Sequence, residues 1–163
     1  MLLHIIARGK IARSPEAELV ARYEKRLTWP LKLTELPETG GTIPPAQAPS
    51  RTVALDERGK DLPSEKFAAT LERWRDNGVR EVQFLIGAAD GHDGAVRTEA
   101  DLLLAYGSAT WPHMIARAML AEQLYRQLSQ RYDIKEAGAS DNNAINRSAN
   151  EPAQGLPVPS YRV

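Results

Sequence analysis

"FLIGAADGHDGAV" (Phe84–Val96) decides how the chain is read. An apolar run enters Gly87, small residues follow, and Asp90, Gly91, His92, Asp93 and Gly94 crowd behind them. This is the pattern of a buried strand ending in a turn before a helix. It is not a phosphate cradle. Gly87, Gly91 and Gly94 fit neither G-x-G-x-x-G nor G-x-x-x-x-G-K-[ST], no lysine follows, and Asp90 and Asp93 would repel a phosphate. A metal site would use Asp90, His92 and Asp93, but near-adjacent loop residues rarely converge on one ion, so no metal is expected. Two readings remain: an ordinary turn whose glycines supply positive φ, or a close approach of small-residue backbone to a flat, uncharged ligand group.

Working outward, apolar segments alternate with amphipathic ones. "LLHIIA" (Leu2–Ala7) and "TVALD" (Thr52–Asp56) read as strands, as does the alternating "LKLTELPE". "VREVQFLIG" ends in Gly87, and "DLLLAYG" (Asp101–Gly107) is a further strand. Between them lie helices. In "ARSPEAELVARYEKRL", Ser14 is a candidate N-cap with Pro15 at the first helical position, and Leu19, Tyr23 and Leu27 repeat at helical spacing. "ERGKDLPSEKFAATLERWRDNG" reads as a turn and then a helix capped by Ser64, with Phe67, Leu71 and Trp74 on its buried stripe. "WPHMIARAMLAEQLYRQLSQRY" is a long helix starting near Pro112, and "ETGGTIPPAQAPS" (38–50) is a mobile loop.

The alternation predicts a single-domain α/β fold, with a largely parallel sheet flanked by helices. Ligands of such sheets bind beyond the carboxyl ends of the strands, here Leu55–Asp56, Gly87–Ala88 and Tyr106–Gly107. The domain spans residues 1–131. Residues 132–163 are polar and rich in Gly, Pro and Asn without apolar periodicity, and read as a disordered or loosely packed tail.

Composition narrows the function. With 163 residues and 42% hydrophobic content, the chain supports one core. It has no cysteine, which excludes disulfides and thiolate metal sites. No apolar run approaches the ~20 residues of a membrane span. "MLLHIIARGK" is too short and too soon charged for a signal peptide, so a cytoplasmic location is expected. Basic and acidic residues balance at 21 each, so any RNA contact must use local charge. Candidates are Arg8, Lys10 and Arg13 in one loop, Arg22, Lys25 and Arg26 on one helix, and Arg126; solvated surface charge is the plainer reading. His113 and Arg117, four residues apart on one helix face, are candidates to act together on an anionic group, against capping, packing or solvent exposure. Glu122 interrupts an apolar helix and needs a partner from another strand or subunit.

"TVALDERGK", "FLIGAADG" and "TWPHMIARAMLAEQLYR", in this order and spacing, resemble the RlmH family, with "ARGK" and "YEKRL" fitting as well. These are ribosomal large-subunit (23S) RNA pseudouridine-N3-methyltransferases of the SPOUT class. The resemblance covers residues 1–131. It implies a C-terminal trefoil knot, a homodimer, and S-adenosylmethionine (SAM) held near the subunit interface. It carries cofactor contacts to Leu55, Gly87, Tyr106, Gly107, Ser108, Ala109, Thr110 and Trp111. It implies that the substrate is the large-subunit RNA in assembled ribosomes. On that reading His113, Arg117 and Glu122 are the candidate catalytic groups, and Arg8, Lys10, Arg13 and Arg126 the RNA contacts.

The chain departs from the family twice. Ala88 stands where the family has a second glycine. The His-Pro-Tyr-His-Arg-like ending, expected around Ile134–Gly138, is absent; "PSYRV", with Tyr161 and Arg162, is a loose echo at the end of the chain. The second departure keeps open a non-enzymatic alternative: a dimeric RNA- or protein-binding module of the same fold that lost catalysis with its normal C-terminus. A flavodoxin-like nucleotide binder fits less well, lacking a phosphate loop.

Overall fold

The computed structural model describes the backbone of residues 1–141 and side-chain surroundings through Leu128. Residues Met1–Arg131 form one compact unit, and a second unit begins at Tyr132. Five strands, β1 (Leu2–Arg8), β2 (Leu31–Leu36), β3 (Ser50–Asp61), β4 (Glu81–Ile86) and β5 (Leu102–Ala105), form one sheet in the order β2-β1-β4-β3-β5. Every pairing is parallel, with Ala7 beside Ile86 and Ile86 beside Leu55. All six residues of central β4 are buried, as expected where both faces are covered.

Alternation along the strands sorts the two faces. On one, Leu3, Ile5, Val53, Val82, Phe84, Ile86 and Leu104 pack with Phe67 and Leu71 of α2 (Ser64–Asp76) and with Leu120, Leu124 and Leu128 of α4 (His113–Asp141). Each such side chain removed from water contributes about 1.5–3 kcal/mol. On the other, Ile6, Ala54 and Leu85 meet Ile43 of the long loop and Val96 of α3 (Gly94–Glu99). α1 (Pro15–Glu24) reaches the core through α4, with Val20 against Ala118 and Ala121.

Local signals explain most element boundaries. Ser14 caps α1 by accepting from Ala17 N at 3.2 Å, and Pro15 opens the helix. Three details differ from expectation. Leu19 is exposed, and Val20 is the α1 residue that enters the core, because α1 packs on a surface made by Ala118 and Ala121 of α4 together with Leu33 of β2. α2 is preceded by Pro63 and has no side-chain cap; the Ser64 hydroxyl instead donates to Gln123 Oε1 at 2.9 Å. The third concerns β3, which does not stop at Asp56 but runs to Asp61.

Leu55 and Lys60 both align with Leu104, so the intervening residues bow around β5. Gly59 permits this, since a Cβ there would lie 2.7 Å from the backbone carbons of Leu103 and Leu104. The polar run "DERGK" therefore reads as a turn by composition and is strand by pairing.

The 38–50 loop, expected to be mobile, is tied to the sheet. Glu81 Oε2 accepts from Gln47 N at 2.8 Å, and Gln83 Nε2 donates to Pro44 O at 2.9 Å. Beneath it His4 joins Glu81 Oε1 at 2.7 Å and Thr34 Oγ1 at 2.8 Å, a buried network within the sheet face. α4 continues through Asp141, so the start of the tail is helical; "DIKEA" is rich in helix formers and no proline intervenes before Pro152. Tyr161 and Arg162 lie outside the described residues. Among the described residues no helix is long and apolar enough to cross a membrane.

Candidate cofactor site at the carboxyl edge of the sheet

The carboxyl ends of β3, β4 and β5 converge on one cavity of about 480 Å³. Leu55, Ile86, Leu104 and Ala105 form its apolar floor. The β4 end supplies Gly87 to Gly91, and the β5 end supplies Tyr106 to His113 except Ser108.

The "GAADG" turn shapes one wall. Gly91 N donates to Ala88 O at 2.9 Å, and Gly91 holds φ +81°. A Cβ on Gly87 would lie 2.8 Å from the Gly91 carbonyl group, so only glycine fits between the strand end and the returning chain. Ala88 is not among the positive-φ residues, so its methyl is accommodated without strain.

The opposite wall is the β5–α4 loop, which turns at Gly107 with φ +81°. Trp111 Nε1 donates to Tyr106 O at 2.9 Å, folding the loop over the cavity. Thr110 Oγ1 donates to Glu57 Oε2 at 2.6 Å, clasping that loop to the bow of β3. The Tyr106 hydroxyl is buried without a partner among the described residues. Burial, and then the nearby Glu122 charge, push its pKa up, so it stays a neutral donor.

One ion pair lies within the wall. Arg97 Nε donates to Asp56 Oδ2 at 2.7 Å, and Arg58 N donates to Asp56 Oδ1 at 2.9 Å. Burial pushes the Asp56 carboxyl up, but these hydrogen bonds outweigh it and leave it below the ordinary aspartate range. Asp56 therefore stays a carboxylate. His92 turns inward, with Nε2 3.2 Å from Leu85 O, and burial lowers its pKa. Asp93 caps α3 by accepting from Val96 N at 2.8 Å. Asp90 lines the cavity while His92 and Asp93 bind Leu85 and Val96, and among the described residues no metal-holding group forms.

These walls suit a small organic ligand. Small-molecule sites occupy roughly 300–1,000 Å³ with apolar linings and few polar groups. Here glycines allow close backbone approach, and among the described residues no cluster of basic side chains forms a phosphate cradle.

Residues 1–131 match the family model described as a predicted SPOUT methyltransferase. The chain belongs to this family. It is 74% identical over 129 residues to the ribosomal RNA large subunit methyltransferase H of Erythrobacter litoralis, covering 79% of this chain and 92% of that protein. It is 70% identical to the enzyme of that name from Novosphingobium aromaticivorans and 63% to that from Rhizorhabdus wittichii; each match covers 79% of this chain and 92% of the relative. The parallel α/β sheet is the architecture expected of the family.

Of the expected cofactor positions, Leu55, Gly87, Tyr106, Gly107, Ala109, Thr110 and Trp111 line the cavity and Ser108 does not. His113 lines it as well, half-buried. Arg117, unlike His113, does not line the cavity. It is fully buried, pairing with Glu35 Oε1 at 2.6 Å and donating to Gly9 O at 2.9 Å, because α4 packs this face against the ends of β1 and β2. Glu122 finds its partner on its own helix, Arg126 at 2.6 Å, rather than on another strand. Arg8 donates to the carbonyls of Pro37 and Gly40, while Lys10 and Arg13 are exposed. Sequence reasoning missed Arg97 and Glu57. Asp56 adjoins a flagged strand end, but nothing short of the fold brings Arg97 to it.

Proposed function

We propose that this chain is a SAM-dependent methyltransferase that places a methyl on N3 of a pseudouridine in large-subunit ribosomal RNA. The observation that carries the proposal is the convergence of three strand ends, "TVAL", "FLIG" and "AYGSATW", on one apolar cavity with a glycine-lined wall. The relatives' shared name supports the substrate class. When bound, SAM supplies a methyl on a sulfonium sulfur, which keeps the bonding pair as a thioether once the acceptor nitrogen has attacked.

The chain's own residues bind, orient and exclude water. Leu55, Ile86 and Leu104 offer the adenine an apolar surface, and the turns at Gly87 and Gly107 bring backbone groups close to the ligand. The Asp56 carboxylate is neutralised by Arg97, so this wall presents a fixed ion pair that would orient a polar ligand group without adding net charge. The acceptor is an imide N–H, whose proton must leave as the N–CH₃ bond forms. His113 lines the cavity and is the residue we assign to receive or relay that proton. Glu122, held by Arg126 and Gln123, does not line it.

Exposed Trp111 and Ile115 beside the cavity support a homodimer that covers them, with assembled ribosomes in the cytoplasm as the substrate. The test is calorimetry with SAM together with methyl transfer to assembled ribosomes lacking the modification, and mass analysis of the released nucleoside. Binding and transfer are expected. Binding without transfer would assign the chain to the non-catalytic alternative, and no SAM binding would end the methyltransferase reading.

A further inference from the structure

Arg117 is a fully buried guanidinium outside the cavity, and a buried charge that does no chemistry calls for another role. Its two hydrogen bonds reach different segments. One goes to Glu35, at the end of β2, and the other to the Gly9 carbonyl, in the β1–α1 loop. The same Glu35 oxygen accepts from Ile11 N at 2.8 Å, so the ion pair grips that loop twice. Glu35 is tuned for this. Burial pushes its carboxyl up, and the Ile11 amide and Arg117 outweigh it, holding it below the ordinary glutamate range.

The loop so held is under backbone strain. Ala12 has φ +50°, the only non-glycine residue in the left-handed region among the described residues. Gly9 has φ +80°, and a Cβ there would lie 3.0 Å from His113 Nε2. The loop therefore lies directly against the histidine that lines the cavity. Lys10 and Arg13, both exposed, project from this segment.

We infer that Arg117 is a positioning residue. With Glu35 it fixes the Gly9–Arg13 loop against His113, so that Lys10 and Arg13 meet the phosphates of the RNA at a set distance from the reacting base. The inference rests on the RNA-methyltransferase reading. The part-buried pair spans 82 residues of sequence and fastens an RNA-facing loop to the helix that opens at the cavity.

The experiment compares the full chain with Arg117→Met, Glu35→Gln, Lys10→Ala and the Arg117→Met/Lys10→Ala double variant. SAM affinity is read by calorimetry, steady-state transfer is read on unmodified ribosomes, and amide exchange is followed at Gly9–Arg13. Arg117→Met is expected to raise KM for ribosomes about tenfold while SAM affinity stays within about twofold of the parent. Lys10→Ala should raise KM in the parent and add little to Arg117→Met, since a released loop no longer presents the lysine. Exchange at Ile11 to Arg13 should quicken in both Arg117→Met and Glu35→Gln.

Additive KM effects, or a loss of SAM affinity that tracks the loss of transfer, would overturn the inference in favour of plain structural support. If Arg117→Met fails to fold, Glu35→Gln carries the same tests. If the parent itself transfers no methyl, the functional reading fails separately. Loop exchange then decides the positioning claim, and unchanged exchange at Ile11–Arg13 refutes it.

Discussion

Near the amino ends of β1 and β4, His4, Glu81, Thr34 and Gln83 satisfy one another and fasten the 38–50 loop through Gln47 and Pro44. At the carboxyl ends of β3, β4 and β5, the chain turns through Gly87, Gly91 and Gly107, and the Tyr106 hydroxyl has no partner among the described residues. One sheet thus carries a closed polar network at one end and an open, small-residue cavity at the other. The contrast separates stability from function: a self-satisfied polar network holds the fold at one end, while turns of small residues leave room for a ligand at the other.

Substitutions can break this division. The largest effect is expected at the closed end. Glu81→Leu removes one partner of a buried pair and strands His4 and the Gln47 amide, lowering unfolding free energy by about 3 kcal/mol. Denaturant unfolding measures it, and SAM affinity at a temperature where the variant is folded should be unchanged.

Next is Gly87→Val at the open end, whose side chain meets the Gly91 backbone. SAM affinity should fall ~100-fold, about 2.7 kcal/mol, by calorimetry. An unchanged affinity would show that the cofactor does not use this turn.

A smaller effect comes from pH. In Glu81, burial raises the carboxyl pKa, and the Gln47 amide, His4 and Gln83 more than reverse this, leaving it below the ordinary value. A carboxylate with a lowered folded pKa contributes stability that is full above its unfolded pKa and lost as pH falls through the folded one. Thermal unfolding of the parent should therefore weaken on acidification below the ordinary glutamate range of 4.5, and Glu81→Gln should flatten that limb of the profile.

The smallest effect is Ala88→Gly. Because Ala88 does not need positive φ, restoring the family's second glycine should change SAM affinity less than about twofold. A larger gain would mean that the Ala88 methyl crowds the ligand.

The open end was the more legible of the two in sequence. Apolar runs stopping at Leu55, Gly87 and Tyr106 marked strand ends, and the turn chemistry lay within a few residues of each. The closed end could not be read this way. His4 and Glu81 are 77 residues apart, and hydrophobic periodicity reports burial rather than the partner of a polar group. Arg117 and Glu35, Arg97 and Asp56, and the bow of β3 over β5 share this difficulty. Arg117 shows the cost of reading spacing alone. Its position four residues from His113 does put it on nearly the same helix face, but one turn further along α4, where that face meets Glu35 and Gly9 at the ends of β1 and β2 instead of the cavity.

The strand order has a consequence for synthesis. β1 lies between β2 and β4, and Leu36 precedes Ile86 by 50 residues, so a growing chain can pair β1 with β2 while its other edge waits. At about 5–20 residues per second, that edge stays open for roughly 3–10 s. Leu3, Ile5 and Ala7, all fully buried in the finished protein, are exposed through this interval. β4 closes the edge, but that apolar face stays open until α4 has followed, so an RNA-modifying enzyme of this topology is most vulnerable to aggregation on the ribosome that makes it.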